Sequence, residues 1–199
     1  MSEEYQYDIV VVGGGPAGSS AAWAAAKNGI KVALIEKESS IAETVRTSGV
    51  TWIQNIKEFG IPDDCFNPIK NFSFCSPNNE VTISDSVPKA AVLDVRKTYR
   101  WLATEAEKEG VDIFIKTSIN NVIKNDNGDI VGVTGTGPKG EIIFHSKIII
   151  DATGFSSTIC KAMGFATQWE RFGAGAEWEV KAEQVDSETW WLMVGQQYS

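Results

Sequence analysis

Basic residues are the minority in this chain: 18 Lys and Arg stand against 26 Asp and Glu, a formal charge of −8. Nucleic-acid phosphates need a basic face, so that class of partner is excluded. Histidine is nearly absent (His145 alone), and there are only three cysteines, Cys65, Cys75 and Cys160. They form an odd set without CxxC spacing, which excludes a disulfide framework and a zinc site and fits a reduced, intracellular protein. No Ser-His-Asp set, metal cluster or paired-carboxylate site is evident, and His145, on a strand, is given no catalytic role. Long apolar runs are missing: Ala21 to Ala26 and Ile148 to Ile150 are far too short to cross a bilayer. The amino terminus, MSEEYQYD, is acidic and meets a strand at once, unlike a signal peptide. The expectation is a cytoplasmic protein that at most rests on a membrane surface.

What is present is enough for a core, since 43% of the 199 residues are apolar. Tyr7 to Val12 (YDIVVV) is a β-branched run of the kind buried on both faces of a parallel sheet. Pro16 to Asn28 is Ala-rich and helical, with Pro in the first turn and Gly29 at the C-cap position. Lys31 to Ile35 is the next strand, which completes a βαβ unit with a right-handed crossover. Thr51 to Phe59 reads as a helix ending at Gly60, and residues 70 to 93 as two or three short strands. Asp94 caps a helix running to Glu109. Val111 to Lys116 reads as a third parallel strand. Ile119 to Ile150 reads as a β-meander with turns at NDNGD and GPKG, feeding the strand IIID. Beyond Gly164, AEWEVKAE and TWWLMVGQQ read as strands, and the chain stops directly after an apolar one.

Gly13-Gly14-Gly15-Pro16-Ala17-Gly18 satisfies G-x-G-x-x-G with a strand before it and a helix after it. Gly13 permits the tight turn and Gly15 lets backbone approach a pyrophosphate. Gly18 lets helix and strand pack closely, and the helix start supplies N–H groups. An acidic protein can thus hold an anion without a basic patch. The same pattern at Gly135 to Gly140 lies between two strands and opens no helix, so it reads as a turn. Glu36, at the end of the second strand, is placed to accept from both ribose hydroxyls and to repel a 2′-phosphate, which leaves FAD or NAD.

Three further features bear on that choice. Arg96 sits in the first turn of its helix, against the dipole, and reads either as the partner of an anionic group or as a surface Arg paired with an acid. Arg46-Thr47-Ser48-Gly49 offers small residues that suit a flat ring system and equally an ordinary loop. Asp151-Ala152-Thr153-Gly154 is a second Gly-containing turn at the carboxyl end of a parallel strand, where such sheets carry ligands. One βαβ unit suffices for NAD; a second grip implies a longer cofactor, FAD.

Together GGGPAG, Glu36, RTSG, LDVRKTYRWLATEAEKEGVDI and IIIDATGFSSTICKAMG resemble the geranylgeranyl reductase group of FAD-dependent oxidoreductases. That group belongs to the superfamily of p-hydroxybenzoate hydroxylase, and the resemblance covers residues 7 to about 165. It implies an α/β protein: a Rossmann-like FAD-binding domain with a parallel sheet and β-meander, and the start of a mixed β-sheet substrate domain. It assigns residues 1-70 and 90-165 to FAD binding, and 71-89 and 166-199 to incomplete substrate-domain strands. By resemblance Gly13, Gly15, Pro16, Ala17 and Gly18 would hold the pyrophosphate, and Glu36, with neighbouring Lys37, the adenosine ribose. Arg46, Thr47, Ser48 and Gly49 would pass the flavin and Arg96 would contact the cofactor. Ile119 would present backbone to the adenine, and Asp151, Ala152 and Gly154 would steady the strand end beside it.

The implied reaction is hydride transfer from reduced flavin to an isoprenoid or lipid-like C=C bond, with NAD(P)H or ferredoxin as electron donor. A monooxygenase or halogenase on the same scaffold, or a non-catalytic nucleotide-binding fragment, are the alternatives. No catalytic residue and no metal ligand is assigned. Two departures stand out: Ser48-Gly49 replaces the Cys-Gly of many such reductases, and the later Gly-Asp motif is missing. The expectation is therefore the amino-terminal portion of a longer protein, inactive on its own. The tryptophans of the tail (Trp169, Trp178, Trp190, Trp191) suit the floor of an apolar cavity or the core of a sheet.

Overall fold

The computed structural model describes residues 2–165, 173, 175–178 and 180–195. In chain order the elements are β1 (Glu3–Gln6), β2 (Ile9–Val12), α1 (Pro16–Ala26), β3 (Val32–Ile35), β4 (Val50–Trp52) and α2 (Ile53–Phe59). Then come β5 (Phe66–Ile69), β6 (Asn71–Ser76), β7 (Asn79–Ser84), β8 (Ala90–Leu93) and α3 (Val95–Lys108). The rest are β9 (Asp112–Phe114), β10 (Ser118–Lys124), β11 (Ile130–Gly137), β12 (Gly140–His145), β13 (Ile148–Asp151), α4 (Thr158–Ala162) and β14 (Thr189–Met193). Two compact units result, residues 1–45 with 99–173, and residues 46–98 with 174–199; the boundary at 98 falls inside α3. The second unit takes in residues 46–70 and 90–98, which the sequence reading assigns to the nucleotide-binding part.

The first unit is built on a parallel sheet of order β13-β2-β3-β9. Its two central strands, IVVV and VALI, are buried along their whole length. Alternation sends Val10, Val12, Ala33 and Ile35 to one face, where they pack on Ile119, Val133, Ile142 and Phe144 of the meander. Ile9, Val11, Val32 and Leu34 face the other way, onto Ala22 and Ala26 of α1 and Ala106 of α3. Small alanines on the helices let them sit close to β-branched strands. Each fully buried Val or Ile stabilises this sandwich by roughly 1.5–3 kcal/mol.

The meander forms a second sheet of order β1-β12-β11-β10. Its edge strand β1 is a departure from the sequence reading, which starts the first strand at Tyr7. Glu3 to Gln6 pairs in parallel with Ile142 to His145 and alternates between half-buried and exposed. Glu3 pairs with Lys139 and Glu4 with His145 Nε2 (2.6 Å), so the lone histidine has a structural partner.

In the second unit β6 is central to a mixed sheet, antiparallel to β7 and parallel to β14, and β8 lies antiparallel between β4 and β5. The expected helix from Thr51 begins two residues later. Thr51 and Trp52 pair with Ala91 and Ala90 as strand, and the helix ends where Gly60 takes the left-handed conformation (φ 65°). Asp94 caps α3 by accepting from the Lys97 N–H at 3.0 Å. AEWEVKAE is not a strand over its described residues; Trp178 is 78% exposed there. Trp190 is in β14 and meets Phe72 and Phe74 edge-on, whereas Trp169 and the last four residues lie outside the described part. No helix among the described residues is long and apolar enough to cross a membrane.

Candidate cofactor site

Two turns meet at the carboxyl edge of the parallel sheet. The first leaves β2 at Gly13, whose N–H donates to Ile35 O at 2.7 Å. Gly13 has φ +112°, and a Cβ there would lie 2.3 Å from the carbonyl oxygen of Ala152. The second turn leaves β13, and the Ala152 N–H donates to Val12 O at 2.8 Å. A Cβ on Gly18 would lie 1.8 Å from Gly13 O, so turn and helix touch backbone to backbone. Gly13 and Gly18 are therefore required by packing within the chain.

Gly15 is different. A Cβ there would meet nothing within 4 Å. It is the N-cap of α1 and no side chain caps the helix; Pro16 opens it and its first turn holds no acid. The first-turn N–H groups of a helix have no intrahelical acceptor, and here they stand beside an open surface with Pro16 and Ala17 exposed. This is a cradle for an anion, and it fits a pyrophosphate.

Glu36 stands at the end of β3. Its Oε2 accepts from the Gly14 N–H and its Oε1 from the Glu38 N–H, both at 2.8 Å. The carboxylate thus ties the glycine turn to its own loop, with the neighbouring Lys37 exposed.

Asp151 is held four ways by its own turn. Oδ1 accepts from the Thr153 N–H (3.0 Å) and hydroxyl (2.6 Å), Oδ2 from the N–H groups of Ile159 (3.0 Å) and Cys160 (2.9 Å). Thr153 Oγ1 also accepts from the Thr158 N–H at 2.8 Å. Burial pushes the Asp151 carboxyl up, but the bonds from Thr153 and Cys160 outweigh it, and its pKa lies below the ordinary value. A side-chain hydrogen bond to Asp151 raises the Cys160 thiol, with burial adding to it. Asp151 therefore caps α4 and fixes the turn. Gly154 follows at φ +64° with open space beside it.

Gly13 to Gly18, Glu36, Lys37, Ile119, Asp151, Ala152 and Gly154 all belong to the first unit. Ile119 is buried there, next to a register shift in the β10–β11 pairing. Arg46, Thr47, Ser48, Gly49 and Arg96 belong to the second. Within it Gly49 has φ +75°, and a Cβ would lie 2.8 Å from Leu93 O, so RTSG is docked against β8; Arg96 is half-buried on α3. Sequence reasoning missed Ile41 and Arg100, which brace the loop beside Glu36. The available signal was one isoleucine buried within an otherwise polar loop, ESSIAET.

A family model described as FAD dependent oxidoreductase matches residues 8–191. The chain belongs to the FAD-dependent oxidoreductase family. FAD is the family's cofactor, and the glycine cradle fits its pyrophosphate. Among relatives of this chain, digeranylgeranylglycerophospholipid reductase of Methanocaldococcus jannaschii is 35% identical over 162 residues, which is 79% of this chain and 40% of that one. The chain thus spans well under half the length of that relative. A protein in the nifH2 5′ region of Methanosarcina barkeri is 34% identical over 179 residues, and the match covers 92% of it. Among solved structures, a geranylgeranyl bacteriochlorophyll reductase-like protein of Thermoplasma acidophilum superposes with TM-score 0.78 at 26% identity, over 97% of this chain and 51% of that one.

Proposed function

We propose that this oxidoreductase chain is the FAD-binding portion of a reductase acting on isoprenoid double bonds. The observation that carries the proposal is the meeting of two turns at one sheet edge, with Gly15 open beside an uncapped helix start. When bound and reduced, FAD would supply a hydride to one carbon of a C=C bond, the other carbon taking a proton from solvent, with the electrons drawn from NAD(P)H or a ferredoxin. The chain's residues bind and orient. The N–H groups at the start of α1 hold the pyrophosphate, with Gly15 and Ala17 leaving room for it. Glu36 accepts from the adenosine ribose while keeping the turn in place, with Lys37 at its side and the Ile119 backbone toward the adenine. Asp151 is a positioning residue: it fixes the turn that carries Ala152 and Gly154 against Gly13. In the second unit, Arg46 to Gly49 and Arg96 are assigned to the flavin end.

The isoprenoid assignment is supported by the similar proteins' names, a digeranylgeranylglycerophospholipid reductase and a geranylgeranyl bacteriochlorophyll reductase-like protein. Residues 71–89 and 166–199 are assigned to the substrate part, and the protein to the cytoplasm, with membrane contact limited to the surface. The test is to load the full-length protein that carries this portion with FAD, reduce it with dithionite and supply a digeranylgeranyl lipid. Mass spectrometry reads the gain of two hydrogens per reduced bond. A bound, reduced flavin that leaves the lipid unchanged would sink the reductase reading; no bound flavin would sink the cofactor reading.

A further inference from the structure

The loop after Glu36 is braced from within. Thr44 N–H donates to Glu38 Oε2 at 3.0 Å, and Ser39 donates to Glu43 Oε2 through both N–H (2.7 Å) and hydroxyl (2.5 Å). Ile41, the apolar residue at the centre, is only 8% exposed. Its side chain lies directly on the glycine turn. A Cβ on Gly14 would fall 2.5 Å from Ile41 Cδ1 and 3.0 Å from Glu36 Cβ. Ile41 therefore walls one side of the Glu36 carboxylate and of the Gly14 N–H that it binds. From outside the loop, the Lys116 N–H donates to Glu38 O at 2.8 Å, and Arg100, on α3, donates its Nε–H to Ile41 O at 3.2 Å.

We infer that Arg100 is a positioning residue for the adenosine end of the cofactor. It acts through Ile41, and it does so with a hydrogen bond, independently of its charge. The inference rests on the FAD reading of the glycine turn. Removing the bond frees the Ile41 carbonyl and lets the loop lift from Gly14. The wall beside Glu36 is then lost, and the site must re-form it on binding.

The chemistry of the side chain makes the test specific. Gln carries an N–H donor on Cδ, at the position of the Arg Nε, and no charge. Lys keeps the charge and places a methylene there. Titrations of the full chain with FAD, ADP and FMN are compared for wild type, Arg100→Gln, Arg100→Lys and Arg100→Ala. The expected result is wild-type affinity for FAD and ADP in Arg100→Gln, and about fivefold weaker binding of both in Arg100→Lys and Arg100→Ala, as for one lost hydrogen bond. FMN, which lacks the adenosine, should bind all four equally.

Rescue by Lys and loss in Gln would overturn the inference in favour of a charge role; equal affinity in all four would overturn it outright. Amide exchange over residues 37–45 without ligand supplies a separate readout. It should quicken in Arg100→Ala and not in Arg100→Gln. A wild-type chain that binds neither FAD nor ADP defeats the cofactor reading, while unchanged exchange in Arg100→Ala defeats the positioning role.

Discussion

The Cβ that Gly13 lacks would sit 2.3 Å from the carbonyl oxygen of Ala152. Two turns far apart in sequence are thus one structure, and the glycine is where they touch. Gly13→Ala must move backbone and also hold an L residue at φ +112°. Denaturant unfolding should show a loss of roughly 3 kcal/mol or more, or no folded protein. Gly15→Ala meets no atom of the chain. Its stability should stay within about 0.5 kcal/mol of wild type, while FAD binding weakens. Equal effects of the two substitutions would remove the distinction between a packing glycine and a ligand-facing one.

Asp151→Asn keeps one acceptor oxygen and turns the other into a donor facing the N–H groups of Ile159 and Cys160. At neutral pH the cost should be about 1–3 kcal/mol, from donors left unpaired at a charged cap. The Asp151 pKa is lowered in the folded chain, so its stabilisation is complete above the ordinary carboxylate value of about 4 and is lost as pH falls through the lower folded value. Acid titration of stability should therefore be shallower in Asp151→Asn between the ordinary value and the lower folded one. Identical acid profiles would show that the carboxylate is not charged against its turn.

The Cys160 thiol is raised by its bond to Asp151 and by burial, so its thiolate fraction at neutral pH is small. Alkylation of Cys160, followed by peptide mass, should be slow in the wild type and become faster in Asp151→Asn, with the apparent titration shifted downward. Cys65 and Cys75, both raised first of all by burial, should show no such response.

Much of this architecture was legible along the chain, because βαβ units advertise themselves locally. The β-branched run of β2, Pro16 at the start of α1 and the glycines at the turns each carry their reason in a few residues. Strand β1 did not, since EEYQ is polar and becomes a strand only by pairing with residues about 140 positions later. Tertiary partners decided that element. The role of Asp151 was half visible: its place at a strand end pointed to the site, but its four donors come from residues up to nine positions on. Ile41 and Arg100 belong to no periodic pattern, and only the folded loop brings them together.

Glu36 accepts from two backbone N–H groups at once. Glu36→Gln leaves one of them without its acceptor and removes the charge proposed to receive the ribose hydroxyls. FAD affinity, read by calorimetry, should fall about tenfold to a hundredfold, as for charged hydrogen bonds. An unchanged affinity would place the ribose elsewhere.

The most direct measurement is a titration of the purified chain with FAD, followed by flavin absorbance and fluorescence, with ADP as competitor. The account predicts a saturable one-to-one perturbation of the flavin spectrum that ADP reverses and that Glu36→Gln weakens. A flavin spectrum unchanged at saturating FAD would contradict it.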